Sequence, residues 1–204
     1  MSSVSETIVR EYFELHEFLV RQPRKHIAQT RREEADIDFL VQNPQPLPAP
    51  PERPFVLSSD DLRSIDRAIV VVKGWHTETF SSAVLSHAPE IFRFLEPKAL
   101  QKAARAFGKD GSVLKILVVP ALPQSDPARD ESIALLRSKG VDAAIPFRTM
   151  LADLIVSVAV NRNYQKSDLL QVLRILKNYD FFKEPQLELF KSRRKQTRSL
   201  PTSD

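Results

Sequence analysis

With 204 residues, 42% of them hydrophobic and 27% charged, the chain is long enough to bury a real core and has the make-up of an ordinary soluble protein. It contains no cysteine, which excludes a disulfide framework, a thiolate zinc site and a cysteine nucleophile. The net charge of +4 resides in residues 191–204, where Lys191, Arg193, Arg194, Lys195 and Arg198 face only Asp204, so the remaining body is neutral and the end reads as a basic solvated tail.

Glu6 to Glu17 reads as a first helix, because Ile8, Val9, Tyr12, Phe13 and Leu15 recur at helical spacing. Phe18 to Lys25 then looks like a strand running into a basic segment, with Pro23 restricting it to an edge or a strand end. Arg31, Arg32, Glu33 and Glu34 form a charged turn before the most informative stretch, Glu34 to Val41. There carboxylates and apolar residues alternate before the run turns wholly apolar. On a regular strand Asp36 and Asp38 share one face, and Ile37 and Phe39 share the other. Two acids on a strand heading into a core need a polar task, unless they sit at a strand entrance facing water.

Pro44, Pro46, Pro48, Pro50, Pro51 and Pro54 make the next segment extended and stiff, and it is expected to be a rigid surface connection. Ser58 or Ser59 with Asp60 and Asp61 starts a short helix to Ile65, which hands over to a strand from Arg67 to Lys73. A helix is expected over Ser82 to Phe94, with Pro89 as a candidate break. Another opens on Pro97 and stops near Gly108. Leu114 to Pro120 is a buried strand by its β-branched content. A helix from Asp126 to Lys139 and a strand from Val141 to Phe147 follow. Alternating strands and helices at this spacing argue for parallel pairing under covering helices, so the fold class is α/β.

The last third is helical, with Met150 to Val160 apolar nearly all round and expected to be buried, and Ser167 or Asp168 opening a helix to Lys177. With only four glycines, Gly74, Gly108, Gly111 and Gly140, there is no glycine-rich phosphate loop. The apolar runs Leu114 to Leu122 and Met150 to Val160 are too short to span a membrane or carry Asp153. The N-terminus lacks a charged-then-apolar signal, and a cytoplasmic location is expected. The expected organisation is one α/β domain over 1–190, with a core at about 6–120 and a strand-helix extension at about 121–182, followed by the tail 191–204.

The order helix, strand, acid-bearing strand, lysine-ended strand, helix, strand resembles the core of the PD-(D/E)xK nuclease superfamily, the restriction-endonuclease-like fold shared with Holliday-junction resolvases. The phrases that carry the resemblance are Ser-Glu6-Thr-Ile-Val-Arg-Glu-Tyr-Phe, Ala-Asp-Ile-Asp38-Phe-Leu-Val and Val-Val-Lys73-Gly-Trp. A looser likeness to an uncharacterised bacterial family of nuclease-like fold rests on Val-Val-Lys-Gly-Trp-His-Thr-Glu78, Phe-Arg-Thr-Met-Leu-Ala-Asp153 and Asn-Arg-Asn-Tyr-Gln-Lys-Ser-Asp-Leu-Leu170. The resemblance implies a mixed central sheet flanked by helices and a magnesium ion held by Asp38 and Asp36. Glu6 would join them, with Glu11 as its fallback, and Lys73 would assist an attacking water. Magnesium wants hard oxygen ligands, and once held it activates water and neutralises charge on a phosphate. Arg21, Arg24, Lys25, Arg31 and Arg32 flank this site and would track a phosphate backbone, DNA being the expected partner.

One position departs from the pattern: Val71 stands two before Lys73, where the family carries Glu or Gln, and valine cannot bind metal. Asp36, His76 and Glu78 are the substitutes within reach in sequence. Two functions are therefore expected to compete, a magnesium-dependent nuclease and a catalytically inactive member of the fold that binds nucleic acid or a protein partner. The helices after Arg148 offer a face for homodimer formation or docking.

Overall fold

The computed structural model describes residues 3–23, 37–108 and 112–182. Arg24, Lys25, Arg31, Arg32, Asp36 and the tail 191–204 lie outside them. The chain divides into two compact units, 1–159 and 160–204.

The first unit is an α/β body around one five-stranded sheet. Helix α1 (Ser3–Leu15) leads to β1 (Leu19–Arg21) and β2 (Phe39–Gln42). Glu17 takes a left-handed conformation (φ 63°) just past the helix end, and the Phe18 N–H closes the turn on the Phe13 carbonyl at 3.0 Å. A short 3-10 turn (Asp60–Ser64) precedes β3 (Arg67–Val72). After β3 come α2 (Ser82–His87), a 3-10 segment (Pro89–Leu95), α3 (Pro97–Phe107), β4 (Leu114–Val119), α4 (Asp126–Ser138), β5 (Ala143–Pro146) and α5 (Phe147–Ser157). The helix expected over Ser82 to Phe94 thus divides at Pro89, whose ring cannot continue an α-helix.

The strands lie in the order β1-β2-β3-β4-β5. β1, β2 and β3 form an antiparallel meander, while β3, β4 and β5 run parallel, so β2 alone opposes the rest. Parallel pairing is confined to the part of the chain where helices separate the strands, since a parallel crossover needs that length. Ile69, Val71, Leu117, Val119 and Ala144 enter a core cluster with Leu85, Ile91, Phe94, Ala99, Ala103 and Leu136, which places α2, α3 and α4 on one face. The alternate strand residues Val70, Val72, Ile116 and Val118 are also wholly buried. They face α1 and α5, which pack on one another and touch β3 and β5 respectively. The outer edge of β5 is covered, for Ala144 exchanges hydrogen bonds with Phe55 (2.8 Å) and Leu57 (2.9 Å).

Two expectations need correction. α5 begins directly after β5, earlier than expected, and it is not buried all round: Phe147, Met150 and Leu154 face inward while Val156 is 75% exposed. The regular alternation expected around Asp38 fails as well. The Asp38 N–H donates to the Val70 carbonyl at 3.2 Å although Val70 is already opposite Phe39, so two residues of one strand meet one of the other, as in a β-bulge. Ile37 accordingly joins Leu40, Ile69 and Val71 in the core cluster, while Phe39 is buried on the opposite face. The extra residue has shifted the phase of the strand.

The second unit, as far as it is described, is α6 (Asp168–Asn178) and the segment leading to it. The Ser167 hydroxyl accepts from the Leu170 N–H at the helix start, and Arg174 Nε donates back to the Val160 carbonyl at 2.8 Å. No helix among the described residues is long and apolar enough to cross a membrane.

Candidate functional site

Among the described residues singled out in the sequence, Asp38, Lys73 and Glu6 lie toward the end of the sheet where β3 finishes and β2 begins. β3 is fully buried and, after its first residue Arg67, hydrophobic to its end at Val72, so the next polar side chain is carried by the residue just past the strand. Lys73 is that residue: its N–H continues the parallel ladder onto the Val118 carbonyl at 3.0 Å, and its side chain is half-buried.

Asp38 arrives beside it through the bulge. The carboxylate is buried, at 5% exposure, and Oδ2 accepts the Val72 N–H at 2.8 Å. The side chain therefore takes the place that a backbone carbonyl of a regular β2 would fill in the ladder. This excludes the reading in which Asp38 faces water at a strand entrance.

Glu6 reaches the same end from the first turn of α1, where a carboxylate suits the helix dipole. Its Oε2 accepts from Gln22 Nε2 at 2.6 Å, just beyond β1, and Gln22 Oε1 in turn accepts from Arg10. Neither Gln22 nor Arg10 stood out in the sequence, because nothing in its pattern says that the end of β1 returns to α1. Glu11, the fallback for Glu6, is half-buried farther along α1. Arg21 is exposed at the end of β1.

The segment after Lys73 is held by close packing. A side-chain carbon on Gly74 would stand 2.6 Å from Ser5 Oγ, so the glycine is what lets the start of α1 cross the end of β3. Ser5 is itself buried, and its hydroxyl pairs with His76 Nε2 at 3.0 Å while the His76 ring meets the edge of Phe147 at 4.6 Å. Trp75 packs on Phe80 with ring centres 5.6 Å apart. Glu78 is exposed and closes a turn onto the Trp75 carbonyl at 2.8 Å. Neither His76 nor Glu78 is thereby joined to Asp38.

The fit to magnesium is incomplete. Among the described residues no three carboxylate, imidazole or thiol groups converge closely enough to hold a metal ion. Val71, where the pattern requires an acid, is fully buried among apolar side chains.

A second polar cluster lies at the opposite end of the sheet. His16 Nε2 and Asp153 Oδ2 meet at 2.7 Å and tie α1 to α5, and the His16 ring stands edge-on to Tyr12 at 4.9 Å. Tyr12 is wholly buried and its hydroxyl contacts Ser59 Oγ at 3.0 Å. Burial pushes the Tyr12 phenol up to about 12, with the Asp153 and Asp61 carboxylates adding to the rise and the Ser59 hydrogen bond opposing it. Beside this cluster opens a cleft of about 530 Å³ lined by Leu15, His16, Asn43, Gln45, Leu47 and Arg63.

Comparison of the chain with protein-family models, with curated proteins and with solved structures gives no match.

Proposed function

We propose that this chain is a nucleic-acid-binding protein built on a nuclease-like frame and without hydrolytic chemistry of its own. The frame is supported by the order helix, strand, strand, strand, helix, strand and by a sheet in which β2 alone is antiparallel to the others. The observation that carries the loss of chemistry is Val71. It is wholly enclosed by the hydrophobic core, so the position two before Lys73 has become part of the packing. Asp38 spends one oxygen on the Val72 amide and thereby acquires a structural task.

A second reading, magnesium-dependent cleavage of DNA, is favoured by one feature: Asp38 is buried directly beside the strand end that carries Lys73. It needs a further acid from outside the described residues, and Asp36 is the nearest in sequence.

Calorimetric titration of magnesium and manganese into the wild type and Asp38→Asn, paired with a cleavage assay on labelled duplex and single strands, separates the two. The proposal expects salt-dependent binding with no metal-dependent cleavage. Cleavage that Asp38→Asn abolishes overturns it in favour of the second reading. No binding to DNA or RNA at low salt removes both. Sedimentation of the same samples tests self-association, for which exposed Val172 and Ile175 on α6, with Tyr179 just past its end, are the candidate surface.

A further inference from the structure

Helix α3 carries Lys98, Lys102 and Arg105 on its exposed side and no acidic residue anywhere in its length. The spacing of four and then three residues sets all three cations in one row. No ion pair joins any of them to a carboxylate among the described residues, in contrast to Arg67, Lys115 and Arg129, which are paired with aspartates.

The row is not explained by the stability of the helix itself. Lys98 sits in the first turn, at the positive end of the helix dipole, where a cation is unfavourable. Lys98 and Lys102 are like charges four residues apart, which repel on a helix surface. Only Arg105, in the last turn, is well placed for the dipole. Two of the three cations thus oppose local stability, and the row is better matched to something outside the protein.

The inner face of α3 decides what that is. Ala99 and Ala103 are buried in the core cluster, so the only apolar stripe of the helix is already used and none is left to enter a lipid surface. What remains outward is charge, presented on a rigid rod. From Lys98 to Arg105 the rise is about 10 Å at ~1.5 Å per residue. A duplex carries one charge per ~1.7 Å of axis, so that length offers about six phosphate charges to three cations. The row also leads toward a known cation: Ala106 and Phe107, at the end of α3, line a small groove of about 140 Å³ together with Arg21 and Leu40. Arg21 and the helix row are therefore brought to the same side of the body across the β1–β2 edge.

We infer that the outer face of α3, with Arg21 beyond its end, is the surface on which this protein takes the phosphate backbone of duplex DNA. The inference rests on the nucleic-acid reading above and names its interface. Contacts of this kind position the duplex without reading its sequence.

The test is the salt dependence of binding to a mixed-sequence duplex, measured by fluorescence anisotropy on the full chain and on the triple variant Lys98→Gln, Lys102→Gln, Arg105→Gln. Glutamine has nearly the helix propensity of lysine and arginine, so the fold should be kept, which an unchanged melting temperature verifies. Each phosphate contact contributes about 0.9 to the slope of log affinity against log salt, so losing three should flatten it by about 2.7, making the fall between 50 and 200 mM salt about 40-fold smaller than in the wild type. Wild-type binding with the same slope in a folded variant overturns the assignment of α3 and leaves the nucleic-acid reading standing. Absence of binding by the wild type overturns both. Binding to phosphatidylserine vesicles without binding to duplex assigns the row to a membrane surface and overturns the inference as well.

Discussion

Replacing Asp38 separates what its carboxylate does for the fold from what its charge does. Its Oδ2 is the 2.8 Å acceptor of the Val72 N–H in a site at 5% exposure, so Asp38→Ala leaves a buried amide without that partner. An unsatisfied buried donor costs about 1–3 kcal/mol, and the hydrogen bond lost is one to a charged group, worth about 1.5–3 kcal/mol by the same measure, so a loss of about 2–3 kcal/mol is expected. Asp38→Asn keeps an oxygen in place for the Val72 N–H. A neutral bond is roughly half as strong as a charge-assisted one, so this variant should lose only about 1 kcal/mol. Urea unfolding followed through the single tryptophan is suited to the measurement, because Trp75 lies three residues beyond Val72 and packs on Phe80. With a slope of about 2 kcal/mol per molar urea, the midpoints should fall by about 1 M for alanine and about 0.5 M for asparagine. An alanine variant as stable as the wild type would refute the ladder role of the side chain. An asparagine variant more stable than the wild type would show that the charge is kept at the expense of stability.

Two further outcomes follow from the packing. Gly74→Ala should destabilise the protein by about 1–3 kcal/mol, since its new carbon would lie 2.6 Å from Ser5 Oγ and 3.2 Å from Ser5 Cβ. Adding Ser5→Ala should recover part of that loss by removing the nearer atom; no recovery would mean that the clash lies with the side-chain carbon at position 5 rather than with the hydroxyl. Tyr12 makes stability fall at high pH: its phenol is raised to about 12 in the folded state against 10.0 for the free group, so the folded state holds the proton more tightly between those values. Stability from this source is complete below pH 10 and is lost as pH climbs to 12, by roughly 3 kcal/mol. Tyr12→Phe should lose less between pH 9 and 11 in the same urea assay, and an identical loss in both proteins would place the alkaline sensitivity elsewhere.

Much of the framework was legible because it rests on local signals. Pro97 and Gly108 bound α3, Ser167 opens α6, and runs of valine, isoleucine and leucine mark β3 and β4. The parallel pairing of β3, β4 and β5 followed from the helices between them. Expectations failed where a longer-range contact decided the matter. Val156 lies in an apolar run yet is exposed, since α5 covers only one sheet face and has solvent behind it. The faces of Ile37 and Phe39 came out wrong because the bulge depends on how β2 pairs with β3, and a two-residue period assumes regular pairing. The cations of α3 are not legible as a surface in the sequence, because lysines and an arginine on a helix look like an ordinary solvated face until the absence of acids on that helix is set beside its buried alanines.

The bulge also bears on chemistry. In a regular strand Asp38 would stand on one sheet face, on the same side as Asp36, and two carboxylates side by side would be the start of a metal site. With the extra residue inserted, the Asp38 carboxylate turns into the hydrogen-bonding edge of β3 instead, one residue before Lys73. A cation at this position would need a second acid from elsewhere, since the face position two before Lys73 is the buried Val71. Asp38→Asn is thus the variant in which the two roles part: it retains the acceptor for the Val72 amide and removes the charge a metal would require. A protein that keeps its fold and its duplex affinity after that change has been using Asp38 as part of its sheet.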